Sequence, residues 1–189
     1  MGVARDGDDS MMRTIVLSCM LLTACASVRV GPEIVGSNNL GYDSPYGGGK
    51  VTVDKSFGGS VVHSELAAYS SNKHGLSGGY GVRSAILAGR SFGRVDILAG
   101  GAYFYQCQDE WQKGRLAPRL LVAFNDENDR YSAYADLQRD SQTRFAVGLE
   151  QLICNKVCLL LGEEFVSLKS GDDGTRVSIS VLFPIRRDD

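Results

Sequence analysis

The residues whose types and spacing could support catalysis are His63, Ser64 and Glu65, which are adjacent, with His74 further along the chain. A histidine held by a carboxylate and hydrogen-bonded to a serine is the arrangement of nucleophilic hydrolases. Adjacent residues of a strand point to opposite faces, so His63 and Glu65 share a face that Ser64 does not. A triad would need a different serine, such as Ser84. We therefore predict that His63 is a polar residue inside the fold and not a catalytic base.

The segment 12–25 carries a second chemical signal. Arg13 precedes a short apolar run over 15–22, which closes on small residues and a cysteine. The run is shorter than the roughly 20 residues of a membrane-spanning helix, so we predict a cleaved secretory signal. Leu22-Thr23-Ala24-Cys25 resembles the lipobox of bacterial lipoproteins. The resemblance implies cleavage before Cys25 and attachment of lipid to its sulfur.

The lipobox resemblance also implies a location and a domain organisation. Ala26 is not the aspartate that commonly retains bacterial lipoproteins in the inner membrane, so the resemblance implies an outer-membrane anchor at Cys25. Residues 1–10 are polar and acidic, whereas the leading region of a signal is positive, and we predict that translation starts at Met11 or Met12. The predicted organisation is an N-terminal extension and signal peptide over 1–24, followed by one domain over 25–189.

Three further cysteines, Cys107, Cys154 and Cys158, lie beyond the signal and would be in an oxidising compartment. Their number allows one internal disulfide. Cys154 and Cys158 have a spacing that can close a small loop between two strands and are the favoured pair, with Cys107 bonded to either of them as the alternative. His63 and His74 are distant in sequence and complete no known zinc-ligand spacing, so we predict neither a metal site nor a cofactor.

The elements that must position these residues are predicted to be β-strands. The chain has 189 residues, a net charge of -2 and 43% hydrophobic residues, which fits one folded domain and argues against nucleic acid as a partner. Beyond residue 25, alternation with a period of two recurs between short turn signals, and no helical periodicity is sustained. The alternation predicts about eight to ten strands. They cover 28–35, 49–57, 60–70, 79–90, 94–106, 115–125, 130–139, 143–152, 156–168 and 175–186.

Short connections between antiparallel strands predict an up-and-down β-barrel, because closure removes the exposed sheet edges. One face of the strands is apolar. The other face carries small side chains and charged ones, the charged residues being Asp96, Arg119, Asp136, Arg144, Glu150, Glu164 and Arg176. The pattern resembles small outer-membrane barrels, whose apolar face meets lipid, although a soluble lipocalin-like barrel has the same alternation with the apolar face inward.

Aromatic placement and connection length favour the membrane barrel, although Lys55 on the apolar face counts against it. Longer connections lie at one predicted rim and mostly short turns at the other. Aromatic residues form a group near each rim, as in interfacial girdles. One group is Tyr103, Tyr105, Phe145 and Phe165, and the other is Phe124, Tyr131 and Phe183.

The longer segments at one rim are candidate contact loops. Tyr42 and Tyr46 lie among Asn, Asp, Ser and Gly residues, and Trp111 lies in a polar stretch that we place in an exposed loop. We predict a non-enzymatic outer-membrane lipoprotein with a structural or surface-interaction role, which contacts a protein or lipid partner through these loops. One alternative is a lipid-anchored soluble barrel that binds a small hydrophobic ligand. Another, by resemblance to barrel enzymes that modify lipid A, is an enzyme that uses His63.

Overall fold

The structure is a computed structural model that describes residues 26–38, 46–71, 79–108, 111–126, 129–137, 143–154, 157–169, 171 and 173–186. Cys25, Tyr42 and His74 lie outside these residues, as does the signal segment, so the predictions about them stay predictions. Within the described ranges, no helix has the length and apolar character needed to cross a membrane.

Ten strands make up the described part of the chain. They are β1 (Ser27–Asn38), β2 (Tyr46–Phe57), β3 (Ser60–Ser71), β4 (Gly79–Phe92), β5 (Val95–Gln108), β6 (Trp111–Asp126), β7 (Asp129–Leu137), β8 (Thr143–Cys154), β9 (Cys158–Leu168) and β10 (Gly174–Arg186). Each strand pairs with the next in antiparallel orientation, and β1 pairs with β10. The predicted all-β, up-and-down barrel is therefore confirmed.

The connections at one rim of the barrel are mostly longer than those at the other. The short-turn rim has the connections over 58–59, 93–94, 127–128 and 155–157, and β1 and β10 begin and end there. The long-loop rim has the connections over 39–45, 72–78, 109–110, 138–142 and 169–173. At the turn between β2 and β3, Gly58 and Gly59 have φ angles of 55° and 79°. A two-residue hairpin turn with positive φ at both positions is the type I′ turn, which glycine adopts without strain.

The prediction that Trp111 lies in a loop is wrong. β5 extends to Gln108 and β6 begins at Trp111, so Trp111 is a strand residue paired with Gln108. Cross-strand hydrogen bonding continues through this polar stretch, because pairing with a neighbouring strand outweighs local composition. Tyr46 is likewise the first residue of β2 and not a loop residue.

The alternation along the strands places the apolar face on the outside of the barrel. Large apolar side chains there are exposed, among them Ile34, Ile86, Leu116, Leu120, Leu149, Val177 and Ile185. The lumen instead buries charged side chains, including Glu33, Lys50, Glu65, Arg83, Arg119, Asp136 and Glu164. The alternative of a soluble ligand-binding barrel requires the opposite arrangement, with an apolar interior around a ligand cavity.

Apolar side chains enter the lumen mainly in its half near the short-turn rim. Two clusters lie there, the first formed around Val61, Leu87, Leu98 and Leu121 and the second around Leu152, Leu160 and Leu182. Leu87, Leu98 and Leu182 are fully buried. A smaller apolar cluster of Ala146, Val166 and Leu168 lies towards the long-loop rim, and the charged residues lie mainly between these clusters.

Candidate functional site

Arg119 of β6 makes the most extensive set of contacts in the middle of the lumen. Its Nε and Nη2 donate to the two carboxylate oxygens of Asp136 at 2.6 and 2.8 Å, and its Nη1 donates to Glu65 Oε1 at 2.8 Å. The guanidinium carbon also lies 4.2 Å from the centre of the Tyr134 ring and 5.8 Å from that of Phe104. Such a bidentate, ring-stacked arginine is held in one geometry, because each of its nitrogens meets a fixed acceptor.

Lys50 of β2 lies among three carboxylates. Its Nζ is 3.4 Å from Glu65, 3.6 Å from Glu150 and 3.9 Å from Glu33, and its side chain is 1% exposed. Arg83 adds a second cation, with Nη2 donating to Glu33 Oε1 at 3.2 Å and Nε lying 3.7 Å from Glu65 Oε1. The buried cations and carboxylates therefore neutralise one another in a region that water does not solvate. A buried charge is costly unless it is paired in this way.

A tyrosine side chain lies over a glycine on the inner face of the barrel. Tyr134 on β7 pairs in register with Gly148 on β8, which pairs in turn with Glu164 on β9. The Tyr134 hydroxyl donates to Glu164 Oε1 at 2.8 Å, and Arg176 donates to Glu164 Oε2 at 3.0 Å. A Cβ at position 148 would meet the Tyr134 ring, so the contact depends on glycine there.

A separate charged cluster lies nearer the short-turn rim, centred on Asp54 of β2. Asp54 accepts hydrogen bonds from Arg29 at 2.7 Å and from Arg130 at 2.8 Å. His63 Nδ1 lies 2.7 Å from Asp54 Oδ1, and the two residues are register partners on β3 and β2. The cluster joins β1, β2, β3 and β7 across the lumen and leaves Asp54 with cations on several sides.

The space that remains among these side chains is small. A cavity of about 30 Å³ lies beside Lys50, Asp54, His63 and Arg130, which is room for about one or two water molecules. A larger, open and polar cavity of about 610 Å³ lies at the short-turn rim, next to Arg94. The arrangement can hold the wall rigidly and exclude solutes from the lumen. The cavity beside Lys50 and Asp54 is too small for an organic ligand.

The structure separates the predicted catalytic candidates. His63 and Glu65 face the lumen and Ser64 faces outward, as the alternation predicts, and Ser84 also lies on the outward face. The carboxylate partner of His63 is Asp54 on the neighbouring strand, not Glu65. Among the described residues the histidine is therefore part of a charged cluster, with the candidate serines on the other side of the wall.

The favoured cysteine pairing is present in the structure. Cys154 and Cys158 form a disulfide that links the end of β8 to the start of β9 at the short-turn rim. Cys107 lies in β5, near the opposite rim. The described residues contain no group of three or more His, Cys, Asp or Glu side chains that could hold a metal ion.

The alternation of residues along the strands predicts part of the charged lumen but not all of it. Asp96, Arg119, Asp136, Glu150, Glu164 and Arg176 belong to it as predicted, whereas Arg144 is exposed next to a register shift in β8. The missed residues are Arg29, Glu33, Lys50, Asp54 and Arg83 on the first four strands, where alternation is weak, and Arg130 on β7. Their signal was the placement of polar residues at every second position, as in Lys50-Val51-Thr52-Val53-Asp54.

Known proteins offer no family for this chain and only distant structural neighbours. No family model matches the sequence, and no curated protein matches it. A solved structure of Ail, the attachment invasion locus protein of Yersinia pestis, is 12% identical, covers 85% of this chain and 97% of its own, and has a TM-score of 0.38. Ail in complex with the heparin analogue sucrose octasulfate gives 13% identity, the same coverage and a TM-score of 0.38. These values are too low to support a conclusion about this chain.

Proposed function

We propose that this chain is a bacterial outer-membrane lipoprotein whose domain is itself inserted in the bilayer, with a non-enzymatic structural or surface-interaction role. The observation that carries the proposal is the contrast between the apolar outer wall and the ion-paired lumen. An exposed apolar surface of this extent is unfavourable in water and favourable against lipid. Burying the charges inside a closed barrel removes them from hydrocarbon.

The dimensions of the wall fit a bilayer. A membrane-spanning β-strand needs about 9–11 residues, and the strands range from the 9 residues of β7 to the 16 of β6. Closure through β1 and β10 leaves no unpaired sheet edge, which is the condition for placing β-structure in lipid. The barrel therefore needs no further element to cross the membrane.

Aromatic side chains at two levels of the wall support the same placement. Tyr103, Phe145 and Phe165 are exposed near the long-loop rim. Near the short-turn rim the exposed aromatic residues are Phe57, Phe92, Phe124, Tyr131 and Phe183. Two such belts are typical of membrane barrels, where rings lie at the interfaces. Lys55 is two residues from the end of β2, so its long side chain can extend towards the headgroups.

The proposed lipid anchor and the barrel agree on orientation. Cys25 precedes β1, which starts at the short-turn rim, so lipid on Cys25 would lie in the leaflet at that rim. The long-loop rim then faces the other side of the membrane. The segment with Tyr42 and the strand ends with Tyr46 and Trp111 are our candidate contacts for a protein or lipid partner there.

Replacing Cys25 with Ser tests barrel insertion independently of the lipid. The variant is expressed with its signal, and processed protein is assayed in periplasmic extract and in outer-membrane pellets washed with carbonate. We expect the processed protein in the washed pellet, with unmodified protein as the control. Release as a folded soluble protein would overturn the proposal, because the apolar wall would then have to be covered in some way other than by lipid.

A further inference from the structure

Three hydrogen-bond donors inside the lumen meet no acceptor among the described residues. The three atoms are Lys50 Nζ, Thr52 Oγ1 and Arg130 Nη2. All three residues line the cavity of about 30 Å³, and Lys50 and Thr52 are only 1% and 6% exposed. A buried donor without an acceptor is unfavourable, and in folded proteins such groups bond to protein or to ordered water. The cavity therefore needs an occupant that accepts hydrogen bonds.

Carboxylates line the same cavity, but those near Lys50 are too far from its Nζ for direct hydrogen bonds. Glu65 Oε2 lies 3.4 Å and Glu150 Oε1 lies 3.6 Å from this nitrogen, whereas hydrogen bonds between nitrogen and oxygen are about 2.7–3.2 Å long. A water molecule beside such a pair can accept from the ammonium group and donate to the carboxylate. The occupant should therefore donate hydrogen bonds as well as accept them.

The cavity lies between the two charged clusters of the lumen. Lys50, Thr52 and Asp54 are alternate residues of β2, so their side chains share a face. Thr52 thus lies between the cluster around Lys50 and the cluster around Asp54. Arg130 and Ser132, which alternate in the same way on β7, also line the cavity. A molecule bound there contacts both clusters.

We infer that this cavity is a binding site for ordered water, which bridges the two charged clusters. Its volume of about 30 Å³ admits one or two water molecules, each of which makes two to four hydrogen bonds. The water accepts hydrogen bonds from Lys50, Thr52 and Arg130 and donates its own to Glu150. The two clusters then form one hydrogen-bonded network across the lumen. The inference goes beyond the proposed function, since it concerns the lumen alone and does not depend on insertion in a membrane.

Water fits this lining better than a small ion does. The lining has equal numbers of carboxylates and of lysine and arginine side chains, so an anion finds no surplus of permanent positive charge. An anion would also lie near the Glu150 carboxylate and could not donate to it. A metal cation is disfavoured because Lys50 and Arg130, two of the three unpartnered donors, have no acceptor atom to offer it.

The short-turn rim gives water a route to the site. The small cavity and the open cavity at that rim share four lining residues, which are Arg29, Asp54, Arg130 and Leu152. These side chains separate the site from the open cavity. Their displacement therefore admits water without opening the barrel wall.

Replacing Thr52 with Val tests the site, because it removes the hydroxyl and preserves the shape of the side chain. The folding equilibrium constant, measured by urea unfolding, should fall about fivefold through loss of the hydrogen bond to water. The matched control is Ser180→Ala. Ser180 Oγ is also buried without a described partner, but Ser180 is not in the lining of the cavity. Its removal should change the constant by less than about twofold.

A dry cavity would give the opposite result for Thr52→Val. Removing a buried hydroxyl that bonds nothing is neutral or stabilising. A folding equilibrium constant that is unchanged or raised in Thr52→Val would therefore overturn the inference. An equal fall in Thr52→Val and Ser180→Ala would also overturn it, because the effect would then not come from the cavity.

Crystallography of the unmodified protein locates the occupant directly and requires no variant. In high-resolution density we expect water within hydrogen-bond distance of Lys50 Nζ, Thr52 Oγ1 and Arg130 Nη2. A second crystal soaked in bromide should show no anomalous peak in the cavity. A cavity without density would contradict the water site. A bromide peak would assign the cavity to an anion and would equally overturn the inference.

Discussion

At the scale of single residues, the lumen depends on a few side chains that each serve several partners. Arg119 bonds Asp136 and Glu65, and Asp54 accepts from Arg29 and Arg130. A buried ion pair adds little net stability compared with an apolar pair, but removing one partner leaves an uncompensated charge. The loss of stability should therefore be largest when one partner of an ion pair is removed and the other stays buried.

Arg119→Ala should lower the free energy of unfolding by about 3–5 kcal/mol, because it leaves Asp136 buried without its cation. The matched control is Arg94→Ala. Arg94 bonds Asp126 at 2.8 Å, but the two side chains are 65% and 51% exposed, so the loss should be about 1 kcal/mol or less. Urea unfolding in lipid vesicles measures both variants. Equal losses would show that burial does not govern these pairs.

Gly148→Val should destabilise the barrel by about 1–3 kcal/mol, because its side chain occupies the space of the Tyr134 ring. Displacing the ring also breaks the bond from the Tyr134 hydroxyl to Glu164. Gly47→Ala on β2 is the control, since nothing lies within 4 Å of a Cβ there. The same urea assay reports the difference, and an unchanged midpoint for Gly148→Val would contradict the dependence on glycine.

At the scale of strands and turns, register and turn chemistry decide which side chains meet. The Gly58-Gly59 turn sets the register in which His63 faces Asp54, and a shift of one residue would send every side chain to the other face. The disulfide between Cys154 and Cys158 restrains the corresponding connection between β8 and β9. Turns at the short-turn rim thus fix the pairing that the charged clusters need.

Replacing both Cys154 and Cys158 with Ser should lower the free energy of unfolding by about 2 kcal/mol, the loop entropy expected for so small a closed loop. Reductant should destabilise the unmodified protein by a similar amount and leave the double variant unaffected. Cys107→Ala serves as the control and should keep the full response to reductant. A response that disappears in Cys107→Ala would assign the disulfide to a different pair.

At the scale of the whole molecule, the barrel has an apolar outer wall and an interior packed with side chains. Most of the buried charges lie in the middle of the lumen, two apolar clusters lie near the short-turn rim, and a smaller one around Ala146 and Val166 lies towards the long-loop rim. The cavity between them holds about one or two water molecules. Such an interior can support a rigid platform for rim contacts but leaves little room for ions to pass.

The purified protein in a planar lipid bilayer should therefore show no stable conductance steps, because hydrated ions cannot pass a lumen filled by paired side chains. The measurement is the single-channel current under an applied voltage, with a protein-free bilayer as the baseline and a porin of known conductance as the positive control. Reproducible steps from the folded protein would mean that the lumen opens. In that case transport would replace surface contact as the function to pursue.

Much of this architecture was predictable because it depends on local chemistry. Alternation with a period of two marks strands, and glycine pairs mark turns, so the all-β meander and its ten strands followed from short stretches of sequence. Cys154 and Cys158 are four residues apart, so a disulfide between them closes a small loop that can be predicted from the sequence. The polar stretch before Arg115 was misassigned because strand pairing there comes from the partner strand and not from the residues themselves.

By itself, therefore, the sequence determined the strands, the turns and the two unlike faces of the sheet, since each depends on neighbours a few residues apart. Only the tertiary structure decided which face is outside and which charges pair. Arg119 bonds Glu65 across a separation of 54 residues, and Arg130 bonds Asp54 across 76. These contacts exist because closure brings distant strands to one lumen, and alternation alone is the same for a barrel with either face inward.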